Sequence, residues 1–330
     1  MPQTDAPRTE AAPGARGTGP RASADPRSRL RWWTELPLIL LVYGCYSAGR
    51  LLARGDTSGA VDHGLQILRL EKVLHLNAEH PLNRLFTREA WLGVPADFWY
   101  ASLHYVVTPA ILVWLFRSRA VRYRAARTWL MTSTFIGLIG FTLLPTCPPR
   151  LLAPGYGFVD TMARYSDYGW WGGEASAPRG MGGMTNQYAA MPSLHVGWAL
   201  WCGVMLWRHG RTPAAKVAGV VYPLVTTLVV MGTANHYFLD AVAGAAVMGL
   251  GLLLTPYVMR AADRLWSVLR GRARWVAGVA RGEGSAIVGA ECQTSPGERI
   301  PRQRESRSGP AAEPGATPAG AGDGAAAAAR

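Results

Sequence analysis

Apolar residues gather in runs at about 36–52, 98–116, 129–144, 195–207, 217–231 and 237–259, separated by short polar segments. Each run is read as a membrane-spanning helix, because ~20 mostly apolar residues cross the hydrocarbon core. Gly49 and Arg50 interrupt the first run, and Pro145 closes the third. Between the first two runs, Gly59–Arg88 carries Leu65, Leu68, Leu70, Val73, Leu74 and Leu76 at helical spacing with charges between them. That periodicity predicts an amphipathic helix, either lying at the membrane surface or packed on the rim of the bundle. The expected fold is all-α: a polytopic six-helix transmembrane bundle with disordered termini.

Composition divides the chain further. The 330 residues are 49% hydrophobic and 17% charged, but the two ends differ from the middle. Residues 1–30 and 276–330 are rich in Ala, Gly, Pro, Arg and Ser and almost lack aromatic residues, so they are expected to be a disordered tail and a low-complexity tail. Residues 31–275 hold the membrane domain. The first 30 residues contain no apolar stretch, so no cleavable signal peptide is expected and the first apolar run directs insertion. Cys45, Cys147, Cys202 and Cys292 lie far apart without ligand spacing, so neither a metal site, nor a disulfide framework, nor a cofactor is expected.

The net charge of +13 first suggests nucleic acid, but its placement argues against that partner. Basic residues avoid the apolar runs and form no stripe interleaved with aromatic residues. They cluster instead at Arg27, Arg29 and Arg31; at Arg117, Arg119, Arg122, Arg124 and Arg127; at Arg208, Arg211 and Lys216; and from Arg260 to Arg274. With six spans all four clusters fall on one side, the cytoplasmic side by the positive-inside rule. Both termini are then cytoplasmic in a multi-pass protein of the cell membrane. The loop Thr146–Gln187, where Arg150, Arg164 and Arg179 are balanced by Asp160, Asp167 and Glu174, faces outward.

The same alternation brings the end of the third run, the start of the fourth and the junction of the fifth and sixth to one face. Arg150, Ser193, His195, His236 and Asp240 sit at those ends. Their chemistry suits phosphoryl transfer. A neutral imidazole at His236 can attack phosphorus. Asp240, four residues on, can fix its tautomer and stabilise positive charge on the ring. His195 can protonate a departing oxygen and later activate an incoming hydroxyl. Arg150 offers a fork of donors for phosphate, with Ser193 and the amides of Met191–His195 as further anion contacts. His104 and Asn235 are additional candidates. Each histidine, read alone, is equally well an interfacial residue bound to a loop.

These residues carry a family resemblance. Met191-Pro192-Ser193-Leu194-His195 resembles the second signature of the type 2 phosphatidic acid phosphatase superfamily, usually Pro-Ser-Gly-His. His236-Tyr237-Phe238-Leu239-Asp240 resembles the third, which ends in His, three residues, then Asp. The resemblance covers about residues 30–260. It implies a six-helix membrane core without a metal requirement, with His195 as acid/base and His236 as nucleophile. Two phosphate-binding cations of the usual signatures are missing at their expected positions. Leu143 stands seven positions before Arg150, where the first signature has Lys, and Val229 and Val230 stand where the third usually has Ser-Arg. With Leu194 replacing Gly, the chain looks closer to the inositol phosphorylceramide synthase-like branch, which transfers a phosphoalcohol head group between lipids. Arg164 or Arg179 could take the place of Arg150 as phosphate ligand. The expected activity is that of an integral membrane phosphatase or phosphotransferase acting on a lipid phosphate through a phosphohistidine, with membrane lipids as surroundings. A transporter or an inactive scaffold is the alternative use of the same polar site.

Overall fold

The computed structural model describes residues 57–171 and 186–280, with scattered positions between 33 and 48. The expected tails, most of the expected first span, and Glu174 and Arg179 lie outside the described residues. Within them the structure is helical, apart from turns and a single bridge between Thr146 and Ala189. The compact unit that carries everything below ends at Arg270.

Three helices are long and apolar enough to cross a membrane: Ala90–Ser118, Pro213–Gly232 and Phe238–Ala273. The expected spans at 98–116 and 217–231 lie inside the first two, and that at 237–259 begins one residue before the third. The expected spans at 129–144 and 195–207 fall on helices that do not meet that length and apolarity. One is Ala120–Leu143, whose first turns carry Arg122, Arg124 and Arg127. The other, Leu194–His209, has only 16 residues.

The region expected as one amphipathic helix is two, α1 (Thr57–Val73) and α2 (Glu79–Arg88), and both pack on the bundle. Asn83 of α2 is buried and shows how. Its amide donates to the carbonyls of Val159 and Gly232 at 2.9 and 3.0 Å, while its oxygen accepts from Val159 N–H at 2.9 Å. A side chain with both donor and acceptor is what joins two chain ends that expose opposite backbone groups.

Helix α3 (Ala90–Phe98) continues through a π-turn, Trp99–Leu103, into α4 (His104–Ser118). Then follow α5 (Ala120–Leu143), the short α6 (Thr161–Arg164), α7 (Leu194–His209), α8 (Pro213–Gly232) and α9 (Phe238–Ala280). Tryptophan indoles tie α5, α7 and α9 together, each finding an acceptor as a buried N–H requires. Trp129 donates to Met248 O, Trp201 to Ala126 O and Trp198 to Thr134 Oγ1.

Small residues set the helix spacing. A Cβ on Gly219 of α8 would lie 2.8 Å from the Gly203 carbonyl of α7, so these backbones touch. In an apolar solvent such close approach is a main source of helix association. At the other crossing, a Cβ on Gly244 of α9 would run into the Ser193 carbonyl at the start of α7.

The first N–H groups of α9 have no partner within their own helix and must be capped. Asp240 at the third helical position reaches back to Tyr237 N–H at 2.9 Å, as in a capping box. Glu71 of α1 supplies a second acceptor, its Oε1 lying 2.6 Å from Leu239 N. Glu71 and Glu79 are both fully buried and interact with each other, so the two carboxyls share one site. Burial pushes the Glu71 carboxyl up to about 9, with Glu79 and Asp240 adding to the rise, and it raises Glu79 as well.

Two predictions follow from this packing. Gly244→Ala forces α7 and α9 apart and should cost about 1–3 kcal/mol, the usual range for overpacking, read as a lower unfolding midpoint in detergent. Gly249→Ala, with nothing within 4 Å of its Cβ, should not lower the midpoint, since Ala is the better helix former. The second concerns pH. Because folding raises the Glu71 carboxyl from its ordinary value of 4.5 to about 9, the folded chain keeps a proton that the unfolded chain releases. Stability should therefore be greatest below the unfolded value and decline as pH rises across that window. Glu71→Gln keeps an acceptor for Leu239 N–H and cannot ionise, so its midpoint should fall less steeply from pH 5 to 9. Parallel slopes would show that the pair does not carry the effect.

Candidate functional site

The site is assembled where α7 and α9 begin. Ser193 caps α7, its Oγ accepting from Val196 N–H at 3.5 Å, and its own N–H donates to the Asp240 carbonyl at 2.9 Å. One backbone bond thus joins the segment bearing His195 to the segment bearing His236 and Asp240. Ser193 is completely buried, so the structure gives this side chain a capping task.

His236 lies just before α9, in the turn after α8, and is 3% exposed. Its Nδ1 is 2.8 Å from the Ala190 carbonyl. A carbonyl can only accept, so Nδ1 carries the proton and, in the neutral ring, Nε2 carries the lone pair. Nε2 is buried and has no hydrogen-bond partner. The expected tautomer-fixing role of Asp240 therefore falls chiefly to Ala190. Asp240 Oδ2 stands 3.4 Å from Nδ1, close enough to stabilise a positive ring, while its stronger hydrogen bond goes to Tyr237 N–H.

His195, the second residue of α7, faces His236 with ring centroids 5.6 Å apart at 60°. One residue inside the π-turn and one just after it hold its ring. Tyr100 lies alongside it at 4.4 Å and 30°, and His104 meets it edge-on at 4.5 Å and 83°. His104 thus belongs to the site as a neighbour of His195. π-turns inside α-helices recur at functional sites, because the extra residue re-aims side chains.

Arg150 enters from the segment after α5. Its N–H donates to the Ala234 carbonyl, its Nε to Asn235 Oδ1 and its NH1 to Asp160 Oδ2, each at 2.9 Å. Asn235 is itself fixed by donating to Thr233 Oγ1 at 2.9 Å. Arg150 and Asn235 therefore come together within one residue of His236. The turn that achieves this puts Ala234 at φ 54, a left-handed conformation that L-residues other than Gly, Asn and Asp seldom adopt. Arg164 lies apart, exposed on α6 with its guanidinium 5.8 Å over the Tyr165 ring.

Several contributors escaped the sequence reading. Tyr100 and the Ala190 carbonyl carry no motif. Asp160, which also caps α6, partners Arg150. Glu71 did leave a signal: it follows Ile67 by four residues and Leu68 by three, so it lies on the buried face of its helix. Among the described residues, no group of three His, Cys, Asp or Glu is placed to hold a metal ion.

With this geometry in place, comparison with known proteins gives one match. The family model described as PAP2 superfamily covers residues 65–254, a stretch that begins in α1 and ends in α9. No curated protein and no solved structure matches the chain. The matched stretch exceeds half of the 330 residues and contains both histidines, Asp240 and Arg150, so the chain belongs to the PAP2 superfamily, whose members are generally phosphatases.

Proposed function

We propose that the chain is an integral membrane phosphatase or phosphotransferase acting on a lipid phosphate, with His236 Nε2 as the nucleophile. The observation that carries this reading is the state of the His236 ring. Nδ1 is held by a carbonyl, and Nε2 is buried without a partner beside His195.

In the first step the Nε2 lone pair attacks phosphorus and the phosphorus–oxygen bond to the lipid breaks. The departing alkoxide takes a proton from His195. The positive charge on the phosphorylated ring is met by Asp240 and by the Ala190 carbonyl. In the second step His195 takes a proton from the acceptor hydroxyl, whose oxygen attacks phosphorus, and the electron pair of the phosphorus–nitrogen bond returns to Nε2. Arg150, its plane fixed by Asn235 and Asp160, is the phosphate ligand in this scheme. Water as acceptor gives a hydrolase. A lipid or polyol hydroxyl gives a transferase, as in the inositol phosphorylceramide synthase-like branch that the Leu194 variant of the second signature resembles.

Six spans, cytoplasmic termini and an outward-facing site belong to the same proposal. Its support is the position of Arg119, Arg122, Arg208 and Arg211 at the helix ends remote from His195. Cysteine placed singly as Asp167→Cys and as Arg211→Cys in a cysteine-free background tests it. An impermeant thiol reagent should reach the first in intact cells and the second only after lysis. The reverse pattern would turn the site inward.

The chemistry is tested by rapid-quench trapping at alkaline pH, where phosphohistidine survives. His236→Ala should lose turnover by at least ~10³-fold and trap no phosphate, as expected for a nucleophile. His195→Ala should still form the phosphoenzyme from a nitrophenyl phosphate ester, whose leaving group needs little protonation, and then stall. Asp240→Asn should slow both steps by ~10²–10⁴-fold, by analogy with a triad carboxylate. Phosphate trapped on His236→Ala but never on His195→Ala would exchange the two roles. No phosphate on any form, wild type included, would leave the site to a transporter or scaffold.

A further inference from the structure

A second polar feature lies at the other end of the bundle. Helices α5, α7 and α9 line a half-open cavity of about 380 Å³. The segment of α7 from His195 to His209 separates its mouth from the catalytic histidines by ~20 Å at 1.5 Å per residue. Ala126, Trp129, Met205 and Thr255 form its buried floor, and Arg122, Arg208 and His209 stand at its rim. The floor offers no spare donor, because Trp129 N–H is bonded to Met248 O and the Thr255 hydroxyl to Gly251 O. What enters must therefore be apolar at the bottom and anionic at the top.

Among the described residues the rim charges are uncompensated, unlike their neighbours. Arg124 pairs with Asp263 and Arg127 with Glu35. Among the described residues neither Arg122 nor Arg208 has a carboxylate partner. The consequence shows at His209, where burial and the nearby guanidiniums of Arg122, Arg208 and Arg119 press its pKa down. Arg122 also lies in the first turn of α5, the positive end of that helix, while the His209 carbonyl at the negative end of α7 is engaged by Arg119 at 3.3 Å. Basic pockets between helices at a membrane surface suit phosphate head groups.

We propose that this cavity binds a phosphate-bearing anion, with the phosphate between Arg122 and Arg208 and, where the ligand is a lipid, the start of an acyl chain against Trp129 and Met205. The site is separate from the histidines and does not rest on the reaction assigned to them.

The test uses the purified full chain in a neutral detergent, with the unfolding midpoint followed during titration. Dioctanoyl phosphatidylglycerol should raise the midpoint saturably, and dioctanoyl phosphatidylcholine should not. The double variant Arg122→Ala/Arg208→Ala should weaken the apparent affinity at least about tenfold, as expected when charge-assisted bonds to phosphate are lost. Ala125→Trp, which blocks the cavity and leaves both arginines, should do the same and covers the case in which the double variant fails to fold. Inorganic phosphate is titrated alongside. Equal protection by phosphate alone would identify a free anion as the ligand, and protection by the lipid alone would identify a head group. The proposal is overturned if phosphatidylglycerol protects the wild type and these variants equally. It is overturned also if Arg211→Ala/Lys216→Ala, which removes the same charge at that end outside the cavity, weakens binding as much.

Discussion

The hydrogen bond from Ser193 N–H to the Asp240 carbonyl is the constraint on which the site depends. It fixes the first turn of one helix against the first turn of another, and each turn carries part of the proposed chemistry. Gly244 lets the backbones come that close, since any side chain there would meet the Ser193 carbonyl. The same proximity brings the Ala190 carbonyl to His236 and thereby decides which ring nitrogen is basic. Geometry, tautomer and the proposed nucleophile are in this sense one consequence of a single close backbone contact.

Around it the polar groups are arranged in order of cost. Buried carboxylates are expensive unless they are paired or protonated. Here one of them, Asp240, caps its own helix and faces a ring that becomes positive during the proposed reaction. Two others, Glu71 and Glu79, share a buried site in which burial favours the protonated form. Arg150 is neutralised by Asp160 and aligned by Asn235, so a phosphate would meet a guanidinium whose plane is already set. Preorganisation of this kind lowers the reorganisation needed at the moment charge develops.

The sequence disclosed what depends on local pattern. His195, His236 and Asp240 were legible because their spacing within short motifs is a property of the chain itself, and alternation of spans placed them on one side. The spans at 98–116, 217–231 and 237–259 were legible from apolar runs and fall, to within a residue, on helices long enough to cross. The start of α7 lies one residue before the expected His195, although a helix of 16 residues is too short to identify itself as a span. Contacts made by distant segments left little trace. Nothing near Ala190 announces that its carbonyl holds a histidine 46 residues away. In Gly59–Arg88 the apolar period runs through the break between α1 and α2, and only Asn77 and Pro81, the latter in the first turn of α2, mark it. Tyr100 reads as one more aromatic residue in an apolar run until the π-turn is seen.

That π-turn sets the angular phase of the whole N-terminal half of its helix. An α-helix advances about 100° per residue, so deleting one residue between Trp99 and Leu103 would restore regular winding while rotating α3 by roughly that angle relative to α4. Asp97, fully buried and accepting from Thr161 Oγ1 at 2.7 Å, would swing away from α6, and Trp99 would leave Thr226 of α8. Tyr100 would lose its place beside His195 while His104 kept its own. Evolution of this segment is therefore quantised: side chains here can change one at a time, but the residue count between Asp97 and His104 can change only if the contacts on both sides are rebuilt together.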